Sequence, residues 1–190
     1  MNALQQIATP HRVKLTVDDY LLLDREGALA PYGRTELVDG VILAVSSQFR
    51  PHSYAKAELA YRLRRALEAQ GSSLYVGTEA SVAMPPHNMP QPDVFLTSEP
   101  RGEGAVPLAS VALIVEVSTS TLEFDRGDKA ATYAAAGVPE LWLVDVKGRV
   151  LYQMWAPGTE GYLRQREVVF GERMEAATVT GLVVETEGLA

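Results

Sequence analysis

The chain has 190 residues, 24 acidic against 17 basic side chains for a formal net charge of -7, 47% hydrophobic residues and no cysteine. The missing cysteines exclude a disulfide framework, a thiol nucleophile, a cysteine zinc site and an iron–sulfur cluster. With only His11, His52 and His87 as imidazoles, any metal site leans on carboxylate oxygens, which suit Mg²⁺ or Mn²⁺ better than zinc.

An acidic balance speaks against non-specific nucleic-acid affinity, which draws on clustered Lys and Arg. Locally, however, Arg50, Lys56, Arg62, Arg64 and Arg65 stand against Glu58 alone between positions 50 and 65. The first fourteen residues lack the apolar core of a secretory signal, and the run Val111 to Val115 is far short of the about 20 residues a membrane helix needs. A cytoplasmic protein with one domain, 1–190, and a core at about 16–170, is expected.

In chain order, Thr16 to Asp24 predicts a short helix, Thr16 capping it and Asp19 completing a capping box. Thr35 to Val38 and Val41 to Val45 flank Asp39-Gly40, the dipeptide suited to a type I′ hairpin turn. Between Ser53 and Gln70, Ala55, Leu59, Leu63, Ala66 and Leu67 share one helical face, and Gly71 is a stop signal. Leu74 to Val76, Glu79 to Ala83 and Asp93 to Leu96 read as consecutive sheet strands. Ala112 to Val117, ALIVEV, reads as a strand covered on both faces. Asp125 predicts the cap of a helix over Arg126 to Ala136, ended by Gly137 and Pro139. Glu140 to Val146 and Arg149 to Trp155 form a hairpin across Lys147-Gly148, with a further strand from Tyr162 to Phe170. The expected class is mixed α/β (α+β), a central sheet flanked by helices.

Strand alternation puts Ala112, Ile114, Glu116 and Ser118 on one face of ALIVEV, so one carboxylate points inward. A buried carboxylate must be paired, hydrogen-bonded or metal-bound, which leaves a structural ion pair or a functional group as readings. Asp93, in Gln91-Pro92-Asp93, is either turn chemistry or the second carboxylate of an oxygen-ligated Mg²⁺ site, since neighbouring strands lie about 4.8 Å apart. Water, phosphate oxygens and a backbone carbonyl near Val117 would complete such a site. Lys129 sits where a helix returns to the end of the preceding strand. It is a surface lysine or the partner of Glu116, with Tyr133 one turn along on the same face. No nucleophile elbow, Walker loop, dinucleotide fingerprint or zincin motif is present.

ELVDG at Glu36 to Gly40, His52 before the amphipathic helix, PDV at Asp93, IVEVSTST from Ile114 and DRGDKAATYAAAGVPELWLVD from Asp125 to Asp145 together resemble the Uma-type putative restriction endonuclease family of the PD-(D/E)XK nuclease superfamily. The resemblance runs from about Thr16 to the C-terminal region. It implies a restriction-endonuclease-like core with an N-terminal β-hairpin, metal ligation by Asp93 and Glu116, and Lys129 as the catalytic lysine. The superfamily's usual lysine lies two residues after the second carboxylate, where this chain has Ser118; the resemblance implies a migrated lysine at Lys129.

Glu36 matches a further acidic position, as a ligand or an orienting residue, or supports its turn. His52 is a phosphate contact, a proton-transfer group or a structural histidine. The expected activity is Mg²⁺-dependent or Mn²⁺-dependent hydrolysis of phosphodiesters, DNA in the first place. The alternative is an inactive nuclease-fold binding or assembly module. Tyr54 and Tyr61 with Lys56, Arg62, Arg64 and Arg65 form the candidate nucleic-acid face. A homodimer is expected, with Leu182 to Val184, Tyr152 and Trp155 supplying apolar surface.

Overall fold

The computed structural model describes residues 12–45, 48–120 and 122–189; His11 lies outside them. Helix α1 (Val17–Arg25) starts as its capping box predicts, the Thr16 side chain accepting from Asp19 N and Asp19 reaching back to the Thr16 N–H. Strands β1 (Thr35–Val38) and β2 (Val41–Ala44) form the N-terminal hairpin in the expected register, Val38 opposite Val41. Asp39 and Gly40 take φ of 49° and 74°, as a type I′ turn requires. A Cβ on Gly40 would sit 2.5 Å from Lys14 Cβ, so the turn needs glycine for space as well as for φ.

Helix α2 (Arg50–Ala69) begins three residues earlier than the apolar pattern indicates, because Phe49 is extended and Pro51 fits the first turn. Ala55, Leu59, Leu63 and Leu67 form its buried face, and Gly71 at φ 64° ends it.

Six strands make the central sheet: β3 (Tyr75–Gly77), β5 (Val94–Thr97), β7 (Val111–Ser118), β8 (Glu140–Asp145), β9 (Val150–Gly158) and β10 (Gly161–Val169), in the order β10-β9-β8-β7-β5-β3. Within this sheet, among the described residues, β7 and β8 are the one parallel pair, and the helix between them makes the crossover such a pair requires. The expected succession of sheet strands is corrected at one point. Strand β4 (Val82–Ala83) leaves the sheet and pairs in parallel with β6 (Val106–Pro107), because the turn 84–89 carries the chain away to β1, where Leu37 and Met89 exchange backbone bonds.

Alternation along β7 fills two cores. Leu113, Val115 and Val117 pack with α2, while Ile114 packs with Tyr133, Leu141 and Leu143 on the other face. The helix after β7, here α3, spans 122–135 in three parts: an α turn Leu122–Phe124, a π turn Asp125–Lys129 and α-helical Ala130–Ala135. Asp125 is therefore buried within the helix rather than capping it, the extra residue of the π turn shifting the expected start upstream.

The packed core also runs past position 170. Strands β11 (Arg173–Glu175) and β12 (Val183–Glu185) fold back against α2, burying Met174, Leu182, Val184 and Leu189. This corrects the surface expected for a homodimer, since Leu182 and Val184 are spent inside their own chain and Tyr152 and Trp155 are partly covered. Among the described residues no helix is long and apolar enough to cross a membrane.

Candidate active site

The antiparallel register of β5 and β7 pairs Val94 with Val115 and Phe95 with Ile114. Continued one step, it sets Asp93 opposite Glu116 on the face that α3 covers. Directly opposed residues share a face, so two carboxylates from neighbouring strands converge on one point. Asp93 is fixed from three sides. Its Oδ2 accepts from the Val117 backbone N–H at 2.8 Å and lies 3.1 Å from His52 Nε2, and its Oδ1 accepts from Gln48 Nε2 at 3.0 Å. Lys56 in turn donates to Gln48 Oε1 at 2.6 Å, extending the support outward. Burial acts to raise the Asp93 pKa, but the His52 bond and charge, the Val117 N–H and the Lys129 charge prevail and hold it below the ordinary value.

Glu116 meets Lys129 as alternation and helix return predict. The ammonium lies 2.9 Å from Glu116 Oε1 and 3.2 Å from Glu36 Oε2, all three side chains being buried. Tyr133, one turn beyond Lys129, donates its hydroxyl to Glu116 Oε1. Burial pushes the Glu116 carboxyl up to about 8; Lys129 opposes this, and the charges of Asp93 and Glu36 add to it. For Lys129 burial favours the neutral amine, but Glu116 and Glu36 outweigh it and raise its pKa, so the ammonium persists. Tyr133 is raised well above 10.0 by burial and by the Glu116 charge, and stays a phenol that donates.

Glu36, His52, Asp93, Glu116, Val117 and Lys129 all line one cavity of about 550 Å³, so the structure gathers every candidate catalytic and metal-binding residue. Of the candidate nucleic-acid face it gathers less. Lys56 turns inward to Gln48 and to Glu79, 2.8 Å away. Arg62 pairs with Glu58 at 2.7 Å and donates to the carbonyls of Glu185 and Glu187, tying down the C-terminal segment. Both cations are thus engaged by carboxylate or carbonyl oxygens of their own chain while staying partly exposed. Arg64 and Arg65 stay exposed, Arg65 over the Tyr61 ring at 5.7 Å. A second cavity of about 450 Å³, beside β3 and lined by Arg64, Tyr75, Arg101 and Glu103, holds none of the candidate catalytic residues.

Sequence reasoning missed Gln48, whose amide orients Asp93 across 45 positions, and Asp125, which is buried and lines the cavity. Nothing local marks Gln48. Asp125 stands four residues before Lys129, and a helix passing through Lys129 to Tyr133 with its start moved upstream would have turned it inward.

The site sets three buried carboxylates, Glu36, Asp93 and Glu116, against the ammonium of Lys129. Carboxyl oxygens gathered out of water, one of them on a group that gives up its proton only near pH 8, suit a hard cation with oxygen ligands that would take the place of that proton. Among the described residues no three acidic or histidine side chains converge closely enough to hold a metal by themselves. Two carboxylates completed by backbone carbonyl, water and phosphate oxygens match the habit of Mg²⁺, which keeps several waters and takes one or two protein carboxylates. The donor set therefore fits Mg²⁺ or Mn²⁺.

Comparison with known proteins gives the same family that the motifs resemble. The sequence matches the Uma2 family, described as "Putative restriction endonuclease", over residues 17–187. A search of curated proteins gives no match. The fold is similar to the crystal structure of "a putative nuclease belonging to DUF820" from Anabaena variabilis ATCC 29413, at 15% identity and a TM-score of 0.62, covering 85% of this chain and 89% of that one. The helix–sheet frame is shared with that protein, and the family match spans both carboxylate strands and the lysine helix: the chain belongs to the Uma2 family.

Proposed function

We propose that this chain is a metal-dependent endonuclease that hydrolyses phosphodiester bonds of DNA. The observation that carries the reading is the convergence of Asp93, Glu116 and Lys129 on one cavity from β5, β7 and α3. Asp93 and Glu116, with the Val117 carbonyl, would hold Mg²⁺ or Mn²⁺, which would acidify a water and polarise the phosphate.

The rest is the work of the chain's own groups. Lys129, kept charged by Glu36 and Glu116, offers its ammonium to the charge that grows on the phosphate oxygens. Supply from α3 instead of position 118 is chemically equivalent, since catalysis needs the charge at a point in space. Tyr133 donates to Glu116 Oε1, the oxygen that also faces the Lys129 ammonium, and so fixes the carboxyl. His52, Gln48 and the Val117 N–H fix the Asp93 carboxylate, so the pair needs little reorganisation.

One observation favours the second reading, an inactive module: both Asp93 oxygens already accept protein hydrogen bonds. The test is incubation of supercoiled plasmid and oligonucleotides with wild type and Glu116→Gln in Mg²⁺, Mn²⁺ or EDTA, circular dichroism confirming both folds. Metal-dependent cleavage, abolished by the substitution, supports the nuclease. Equal traces in all lanes leave the inactive module.

A further inference from the structure

We infer that this site takes single-stranded DNA, its bases stacked on Phe49 and Phe124; as an identification of substrate, this rests on the reading of the site as a phosphodiester hydrolase. The chain has four phenylalanines. Two, Phe95 and Phe170, are buried. The two that the core leaves out, Phe49 at 76% and Phe124 at 39% exposure, both line the cavity that holds Asp93, Glu116 and Lys129. A phenyl ring has no polar group to satisfy by facing water, so two exposed rings at one cavity mark a binding surface.

Charge narrows the occupant. A duplex binder gains its affinity by neutralising several phosphates on two backbones. Here the cavity's cations face carboxylates of their own chain, Arg34 reaching Glu79 at 2.6 Å through one nitrogen and Lys129 reaching Glu36 and Glu116, so little charge is left for a second backbone. Lys56, close by, is likewise held by Glu79. Stacking supplies what free charge does not, and it needs unstacked bases, which a single strand presents and a duplex hides. Next to Phe49, Arg50 is exposed at the start of α2. Tyr54, 70% exposed, follows one turn on, so a strand leaving the cavity meets a further cation and a further ring.

Fluorescence anisotropy in EDTA, where no strand is cut, tests this with a labelled mixed-sequence 12-mer and its blunt duplex. Wild type should bind the single strand at least about tenfold more tightly than the duplex. Phe49→Ala and Phe124→Ala should each weaken single-strand binding about 5- to 150-fold, the value of one stacked base. Phe49→Leu and Phe124→Leu keep the apolar bulk and packing without the π face, and should fail likewise while circular dichroism stays unchanged. Equal affinity for strand and duplex, or binding unchanged in the alanine variants, overturns the inference.

Parallel assays in Mg²⁺ separate it from the hydrolase reading. Duplex cleaved at the wild-type rate by all four variants refutes the single-strand site and leaves the hydrolase standing. Strand binding that depends on both rings, with no cleavage of any DNA, supports the surface and removes the hydrolase.

Discussion

Glu116→Gln should abolish most of the pH dependence of stability between about pH 4.5 and 8. In the folded chain the Glu116 carboxyl keeps its proton up to about 8, against an ordinary value of 4.5 once unfolded. Between those values the folded state binds the proton and the unfolded state does not. This contribution to stability is therefore complete below pH 4.5 and is lost as pH rises through 8. At 1.36 kcal/mol per unit, the rise from 4.5 to about 8 corresponds to about 5 kcal/mol.

Asp93, held below its ordinary 3.8, works in the opposite sense and only in acid, its contribution present above 3.8 and lost as pH falls through its folded value. Glutamine keeps the size of Glu116 and a carbonyl for Tyr133, and cannot ionise. Urea unfolding followed by the fluorescence of Trp142 and Trp155 at a series of pH values measures both proteins, and their difference cancels every other titrating group. The two should be similar near pH 4.5, with the variant more stable by several kcal/mol at pH 8.5. Saturating Mn²⁺ should close the gap from the wild-type side. Parallel pH profiles for the two proteins would refute the assignment to Glu116 of a carboxyl that burial keeps protonated up to about 8.

Other substitutions probe the frame around it. Lys129→Met leaves Glu36 and Glu116 facing each other without their shared ammonium. It should cost about 3–5 kcal/mol at pH 9.5, where Glu116 is ionised beside Lys129 in the wild type, and markedly less at pH 6, where Glu116 holds its proton in both proteins; urea midpoints at the two values check this. Glu140 is fully buried and accepts from Trp142 Nε1, Gln153 Nε2, the Ala177 and Thr178 N–H groups and Thr178 Oγ1. Glu140→Ala should lower stability by about 3–5 kcal/mol in the same assay, with Mn²⁺ affinity unchanged, because five donors lose their acceptor far from the cavity. Gly40→Ala, at φ 74° and with its Cβ 2.5 Å from Lys14 Cβ, should cost about 1–3 kcal/mol, read as a lower thermal midpoint.

What the sequence discloses and what it withholds divide along the range of the interactions. The capping box at Thr16, the Asp39-Gly40 turn and the inward face of ALIVEV are set by neighbours within four residues, and all are legible. Glu116 beside Lys129 is legible too, since a helix must return over the strand it follows.

The strand order is not legible. That Asp93 opposes Glu116 follows from the pairing of β5 with β7, and no spacing states which strands pair. Gln48 reaches Asp93 and Arg62 reaches Glu185 across 45 and 123 positions, so neither contact leaves a local trace. The π turn at Asp125–Lys129 is invisible for a different reason: its sequence suits an α-helical turn, and the core and cavity together demand the extra residue that buries both Asp125 and Lys129. The C-terminal strands were beyond the expected core because β11 and β12 are three residues each, too short for alternation to show.

Calorimetric titration of Mn²⁺ into the wild type and into Asp93→Asn, with circular dichroism confirming both folds, addresses the metal centre before any substrate is known. Asparagine keeps the shape of Asp93 and one acceptor, which can stay on the Val117 N–H and His52 while its NH2 replaces the oxygen that accepts from Gln48, and it removes one charge from the pair that faces the cavity. A single site in the wild type that weakens at least about tenfold in the variant is the expected result. Wild-type protein that takes up no Mn²⁺, either alone or with a short DNA strand supplying phosphate oxygens, would contradict a carboxylate metal centre at Asp93 and Glu116.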